Sequence, residues 1–425
     1  MVKNNLDKVY LDRFIRLMYY LGVLKGDEPF LTDTTHCFAA ISTPTAIELI
    51  RQAMRQIVRF LSKEYAFEWS ALASRPKATR YLETIEERKE HKLNKSEKDT
   101  RLAEVVSEAE ELLTWLEASE GPWRTQPMVV NHALVLCRIL HERIVRASDG
   151  SIEMAPPGSV KDILASTVDV EARFGCKGKI KWRGYKVATV EVGDSGFVAA
   201  AEAMAANAYD GNSLPILAEQ LPVELVESPK IVGDTHYGSG ENRQQLQERG
   251  IQVVAPVSYK TKCEEVAAEG FLVNADHTEL ICPRGRFFTK WNDVQDGRNF
   301  ILEANHPPCK QCPRYNQCFG RKKKRQIFIH SYFEILLDAQ AYAKTEEYHR
   351  EMRLRGRIEA KQSELVNHYG LRRVRYHGQR NVAFAARMKA LSSNFRRYHR
   401  LLHDKQNPLQ LGDKAPQGVV FKKAA

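Results

Sequence analysis

No run of about 18 apolar residues occurs in this chain of 425 residues, so the sequence lacks the segment a membrane-spanning helix needs. The opening MVKNNLDKVYLDRF lacks the uninterrupted apolar core of a secretion signal. Internal repeats are missing, which excludes solenoids and propellers. So is the low hydrophobicity of a disordered chain: 43% of the residues are hydrophobic, enough for one large domain with insertions or for two domains. Acidic residues are the scarcer sign, 53 against 64 Lys and Arg, for a net charge of +11. Such a surface favours polyanions. The expected location is the cytoplasm, where the eight cysteines stay reduced and any that cluster point to a metal rather than to disulfides.

The periodicity divides the chain into six stretches. Residues 1–43 read as a short amphipathic helix over 6–24 and a strand over 30–41. From 44 to 150 the spacing is helical, with Ile47, Ile50, Met54, Ile57, Val58 and Leu61 in one helix. Leu102, Val105, Val106, Ala109, Leu112, Leu113 and Leu116 mark a second, and 128–145 a third. The charged link EERKEHKLNKSEKD between the first two reads as a solvated arm. In 151–261 the period becomes two, with strands expected at 167–173, 184–192 and 196–199, then a helix at 213–220 and a β-α-β unit over 230–260. Residues 262–330 are short-stranded and carry cysteines, 331–402 are helical and basic, and 403–425 form a tail. One α/β domain with two insertions fits this order.

Candidate chemistry starts in KIVGDTHYGSGENRQQLQERGIQVVAPVSYK, where Asp234 lies near the carboxyl end of an apolar strand. That position faces the ligand crevice of an open α/β sheet, although turns and helix caps also use aspartate. Asp33 lies on the first strand. A helix expected at 345–368, projected at about 100° per residue, groups Glu359 with Met352, Ile358, Leu365 and Val366 and puts Arg353, Arg357, Lys361 and Glu364 opposite. A carboxylate aimed at a core must be paired or bind a cation. Arg355, one turn earlier, offers a simple pairing.

Asp33, Asp234 and Glu359, together with LTDTTHCFAA, GYKVATVEV, GDTHYGSGENRQQLQERGI and RGRIEAKQSELVNHYGLRRVRYHG, make the chain resemble the DDE transposases of bacterial insertion sequences. These belong to the retroviral-integrase-like superfamily. The resemblance implies a ribonuclease H-like mixed sheet with a helical insertion after the first strand and a cysteine-rich insertion before the last catalytic helix. It places the catalytic Asp, Asp and Glu at Asp33, Asp234 and Glu359, with Arg355 four residues before the glutamate. Met352 and Val366 stand where related enzymes often carry Tyr and Lys or Arg. With about thirty residues ahead of Asp33, the N-terminal DNA-binding region of such enzymes is expected to be missing.

Three carboxylates suffice to hold two Mg²⁺ (or Mn²⁺) ions for phosphodiester cleavage and strand transfer. Cys282, Cys309, Cys312 and Cys318, spaced C-x26-C-x2-C-x5-C, suit a structural Zn²⁺. Arg355, Arg372, Arg373 and Arg375 are the expected DNA contacts, among further basic residues at RKKKR (321–325) and at Arg380, Arg387, Lys389, Arg396, Arg397 and Arg400. The expected partner is DNA, both element ends and target, bound by a homodimer or larger assembly associated with the nucleoid. Two other readings stay open: a non-catalytic zinc-containing DNA-binding remnant of a mobile element, and a ribonuclease H-like nuclease without strand transfer.

Overall fold

The computed structural model describes residues 5–42, 44–65, 69, 76–82 and 93–404. Helix α1 (Leu6–Tyr20) buries Leu11, Phe14, Ile15 and Met18 and leads to strand β1 (Phe30–Phe38). Three long helices follow, α2 (Ala46–Glu64), α3 (Lys95–Ala118) and α4 (Pro127–Arg143). The first two begin at capping boxes, Thr45 with Glu48 and Asn94 with Glu97. Each box satisfies two backbone N–H groups that a helix end would otherwise leave open. The apolar stripes read from the sequence meet in one core, Ile50, Met54, Ile57 and Leu61 against Val105, Ala109, Leu112, Leu136 and Ile139. Each large side chain so buried contributes about 1.5–3 kcal/mol. Residues 83–92, which include the first half of the charged link, lie outside the described residues, as do 405–425 of the tail; the second half leads into α3. The hairpin β2 (Ile144–Arg146) and β3 (Ile152–Met154) closes this helical layer.

The main sheet is mixed. Strands β4 (Arg173–Lys177), β5 (Ile180–Val192) and β6 (Phe197–Ala205) are followed by helix α5 (Leu214–Ala218), strand β7 (Lys230–Val232), helix α6 (Gly240–Gln247) and strand β8 (Gln252–Val254). The order is β4-β5-β1-β7-β8, with β6 also paired to β5. Partners of β5 are antiparallel to it, whereas β1, β7 and β8 run parallel. Gly184 sits where β5 passes from β4 to β1. It has φ +143, and a Cβ there would lie 2.4 Å from the Cys37 carbonyl, so no side chain fits. The strand expected at 167–173 is a bend instead, with β4 starting only at Arg173. The Ser166 hydroxyl accepts from the Val168 and Asp169 N–H groups, a local bond that competes with strand pairing.

The remainder is a second small core and the last helices. Helix α7 (Cys263–Ala268) leads to the sheet of β9 (Leu272–Val273), β10 (Leu280–Ile281) and β11 (Phe287–Phe288). Strands β12 (Trp291–Val294) and β13 (Gly297–Glu303), short helices α8 (Pro307–Lys310) and α9 (Tyr315–Cys318), and strand β14 (Lys324–His330) complete it. Phe271, Leu280, Phe300, Leu302, Ile327 and Ile329 fill this core. Helices α10 (Phe333–Tyr342), α11 (Glu346–Leu354), α12 (Gly356–Asn367) and α13 (Gln379–Leu402) return to the main sheet. Helix α13 packs on β6 and α1, and its Arg387 is buried with Asp7 at 2.5 Å. No helix among the described residues is long and apolar enough to cross a membrane.

Candidate functional site

The parallel pairing of β1 with β7 sets the geometry. Phe30 lies opposite Ile231 and Leu31 opposite Val232, so Asp33 and Asp234 each come two residues after the Leu31–Val232 pair. Neighbouring strands run about 5 Å apart, and equal offsets in parallel strands bring the two carboxylates side by side. Gly233 permits the turn after β7, where a Cβ would press on the Tyr237 ring at 2.8 Å. The Asp33 carboxylate accepts the Thr34 N–H at 2.7 Å. Asp234 accepts the His236 N–H at 2.8 Å and meets the His236 ring nitrogen Nδ1 at 3.2 Å. Burial pushes the Asp33 carboxyl above its ordinary value; the Thr34 N–H pulls it down, the Asp234 charge pushes it up, and Lys177 and Arg355 pull it down.

Glu359 stands elsewhere than its projection places it. The helix expected over 345–368 is two helices, α11 and α12, broken at Arg355, whose N–H reaches Met352 at 3.2 Å. That shorter i−3 bond interrupts the i−4 ladder, and a single helical wheel no longer holds across it. Glu359 is 58% exposed and paired with Arg355 at 3.2 Å. Lys361, expected on the solvent side, is 5% exposed and donates to Glu364 at 2.7 Å, with Ser393 of α13 at 3.4 Å. Ile358 anchors α12 against Leu31, Val232 and Val254, so Glu359 is the next residue after a fixed core contact. Arg355 pairs with Glu359 while its charge acts on Asp33.

The metal expectations meet this geometry unequally. Among the described residues no group of three or more His, Cys, Asp or Glu side chains is arranged to hold a metal ion. Asp33 and Asp234 supply the paired hard oxygens that suit Mg²⁺. Glu359 is paired with Arg355. Cys282, Cys309, Cys312 and Cys318 share a neighbourhood, and the charges of the other three act on Cys309; among the described residues no zinc-holding group is shown there. Cys309 is buried in the small core and the other three are half-buried around it. Burial pushes the Cys309 thiol up, and the charges of Cys282, Cys312 and Cys318 push it further. Cys309→Ser is expected to cost about 1–3 kcal/mol in urea unfolding, since a hydroxyl there is desolvated. Cys176→Ser, exposed, should stay within about 0.5 kcal/mol.

The basic residues divide in the same way. Arg372 is a tie to β1, donating to the His36 carbonyl at 2.9 Å, while Phe38 N–H bonds the Arg372 carbonyl at 2.8 Å. Arg373, over the Phe38 ring at 5.9 Å, and Arg375 are exposed. Arg387 is spent on Asp7, Glu202 and the Ala201 carbonyl, and Arg397 donates to the Ser195 carbonyl. Arg325 pairs with Glu269 and Lys324 with Glu303, so part of RKKKR is structural.

Sequence reasoning missed Tyr237 and Lys177. Tyr237 is fully buried, and burial followed by the Asp33, Asp210 and Asp234 charges pushes it well above its ordinary value, against the pull of a Thr34 side-chain hydrogen bond. Its place three residues after Asp234 was the only signal. Lys177 is far from the aspartates in sequence, and only the sheet brings its charge to Asp33.

The family model described as a transposase DDE domain matches residues 281–399. The match takes in Cys282 to Cys318, Arg355 and Glu359, and it stops short of Asp33 and Asp234. It supports placing the chain among DDE transposases. No curated protein and no solved structure gives a match.

Proposed function

We propose that this chain is a DNA transposase that cleaves and joins strands at the ends of an insertion sequence, with a ribonuclease H-like sheet as its catalytic frame. The observation that carries the reading is the pair of aspartates two residues past the Leu31–Val232 pair of two adjacent parallel strands, Asp33 within β1 and Asp234 just after β7. The family match over the glutamate-bearing helix supports it independently. In this reading Asp33 and Asp234 hold Mg²⁺ or Mn²⁺, and Glu359 joins them when Arg355 releases it. The cation supplies charge neutralisation at the attacking and leaving oxygens of a phosphodiester. Thr34 and His236 fix the two aspartate carboxylates through their backbone N–H groups. Arg355, freed from Glu359, is placed to meet a phosphate. Exposed Arg373 and Arg375 contact the DNA backbone, and the assembly on DNA is a dimer or larger.

The test is incubation of the full chain with Mg²⁺ and a labelled duplex carrying the element end. Joined products are the expected outcome. Cleavage without joining would reduce the reading to a nuclease, and retention of DNA without cleavage would reduce it to a binding protein.

A further inference from the structure

We propose that the hairpin of β4 and β5 is an arm for the DNA backbone, its Lys177, Lys179 and Lys181 contacting phosphates of the strand held at Asp33 and Asp234. This rests on the reading of the chain as a DNA-processing enzyme and adds to it a named surface beside the site.

The hairpin is tightly built. Lys177 and Ile180 are its last pair, and Gly178 takes φ +59 at the first position of the two-residue turn, a place that suits glycine. Behind the tip, the Trp182 ring lies across Gly175, where an added Cβ would come within 2.3 Å of it. The indole N–H donates to the Tyr185 carbonyl at 3.1 Å. The same ring lies 5.1 Å from the His36 ring on β1, three residues past Asp33. The arm is therefore braced against the strand that carries the carboxylate.

Its charge has one sign. No acidic residue occurs between Glu171 and Glu191. Arg173 is used internally by Asp162 at 2.6 Å, and Arg183 lies over the Phe174 ring at 5.0 Å. Lys177, Lys179 and Lys181 are exposed, and among the described residues none of them has an ion-pair partner. The Lys177 charge also acts on both Asp33 and His36. Two adjacent carboxylates repel an incoming phosphodiester, so a strand brought there needs cations beside it. Lysine ammonium groups, as point charges on flexible stems, hold phosphates without reading bases. Arg355 supplies one such charge and the hairpin supplies three more.

The test compares the full chain with a triple variant, Lys177→Ala, Lys179→Ala and Lys181→Ala, in duplex binding across a salt titration. Each phosphate contact adds about 0.9 to the slope of log affinity against log salt, so the slope should fall by roughly 2.7. The thermal unfolding midpoint should be unchanged, because all three side chains are exposed. Lys→Arg at the same three positions should restore the slope. An unchanged slope in the alanine variant, or one that arginine fails to restore, overturns the arm while leaving DNA binding by the parent chain intact. If the parent chain itself binds no duplex, the functional reading falls and the arm with it.

Discussion

Asp33→Asn and Asp234→Asn are each expected to reduce Mg²⁺-dependent cleavage of element-end DNA by about a hundredfold or more, as loss of a metal-ligand charge does. The fold should survive. Asparagine keeps the volume and still accepts the Thr34 N–H at position 33 and the His236 N–H at position 234, the bonds that orient the two carboxylates. Removing one of two mutually repelling charges also relieves a cost of the empty pair. Glu359→Gln should lose activity to the same degree with little change in stability, because its side chain is 58% exposed and contributes to no core. Single-turnover cleavage together with a thermal melt of each variant checks this. Retained activity in any one variant removes that residue from the site, and a large drop in melting temperature would move its role from chemistry to structure.

Glu191→Gln is expected to change how stability depends on pH by up to about 3 kcal/mol. Glu191 lies on β5 opposite Leu31, is 3% exposed, and has one carboxylate oxygen without a hydrogen-bond partner. Burial pushes its carboxyl from 4.5 up to about 7, against the downward pull of Lys361, Arg357 and Arg397 and with the upward push of Glu364. A carboxyl whose folded value is raised holds its proton in the folded state after the unfolded chain has lost it. Its stabilising contribution is therefore complete below about pH 4.5 and is lost as pH rises to about 7. Glutamine has no proton to lose. Urea unfolding at pH 5 and pH 8 should show the variant gaining on the parent chain between the two. An equal difference at both pH values would show that Glu191 is ionised in the fold throughout, with Lys361 and the two arginines offsetting its burial.

Much of the framework was legible in the sequence because it depends on local rules. Helices α2 and α3 carry capping boxes and apolar stripes that no tertiary contact needs to create. The β-α-β unit was marked by glycines at its turns, and Asp234 was legible as a strand-end carboxylate for the same reason. The helix at 345–368 shows where local rules fail. Its 3.6 period continues in sequence across Arg355, but the ladder breaks there, and packing on α13 draws Lys361 inward.

The sequence by itself determined most of the element types, the positive balance and the positions of the three carboxylates along the chain, because periodicity, turn chemistry and charge are properties of neighbours along the chain. Tertiary structure alone decided which charges meet. The parallel register of β1 and β7 sets Asp33 beside Asp234. The antiparallel hairpin carries the Lys177 charge within reach of Asp33. Electrostatic interaction falls with distance through space, and distance through space between residues far apart in the chain is set only by how the sheet and helices pack.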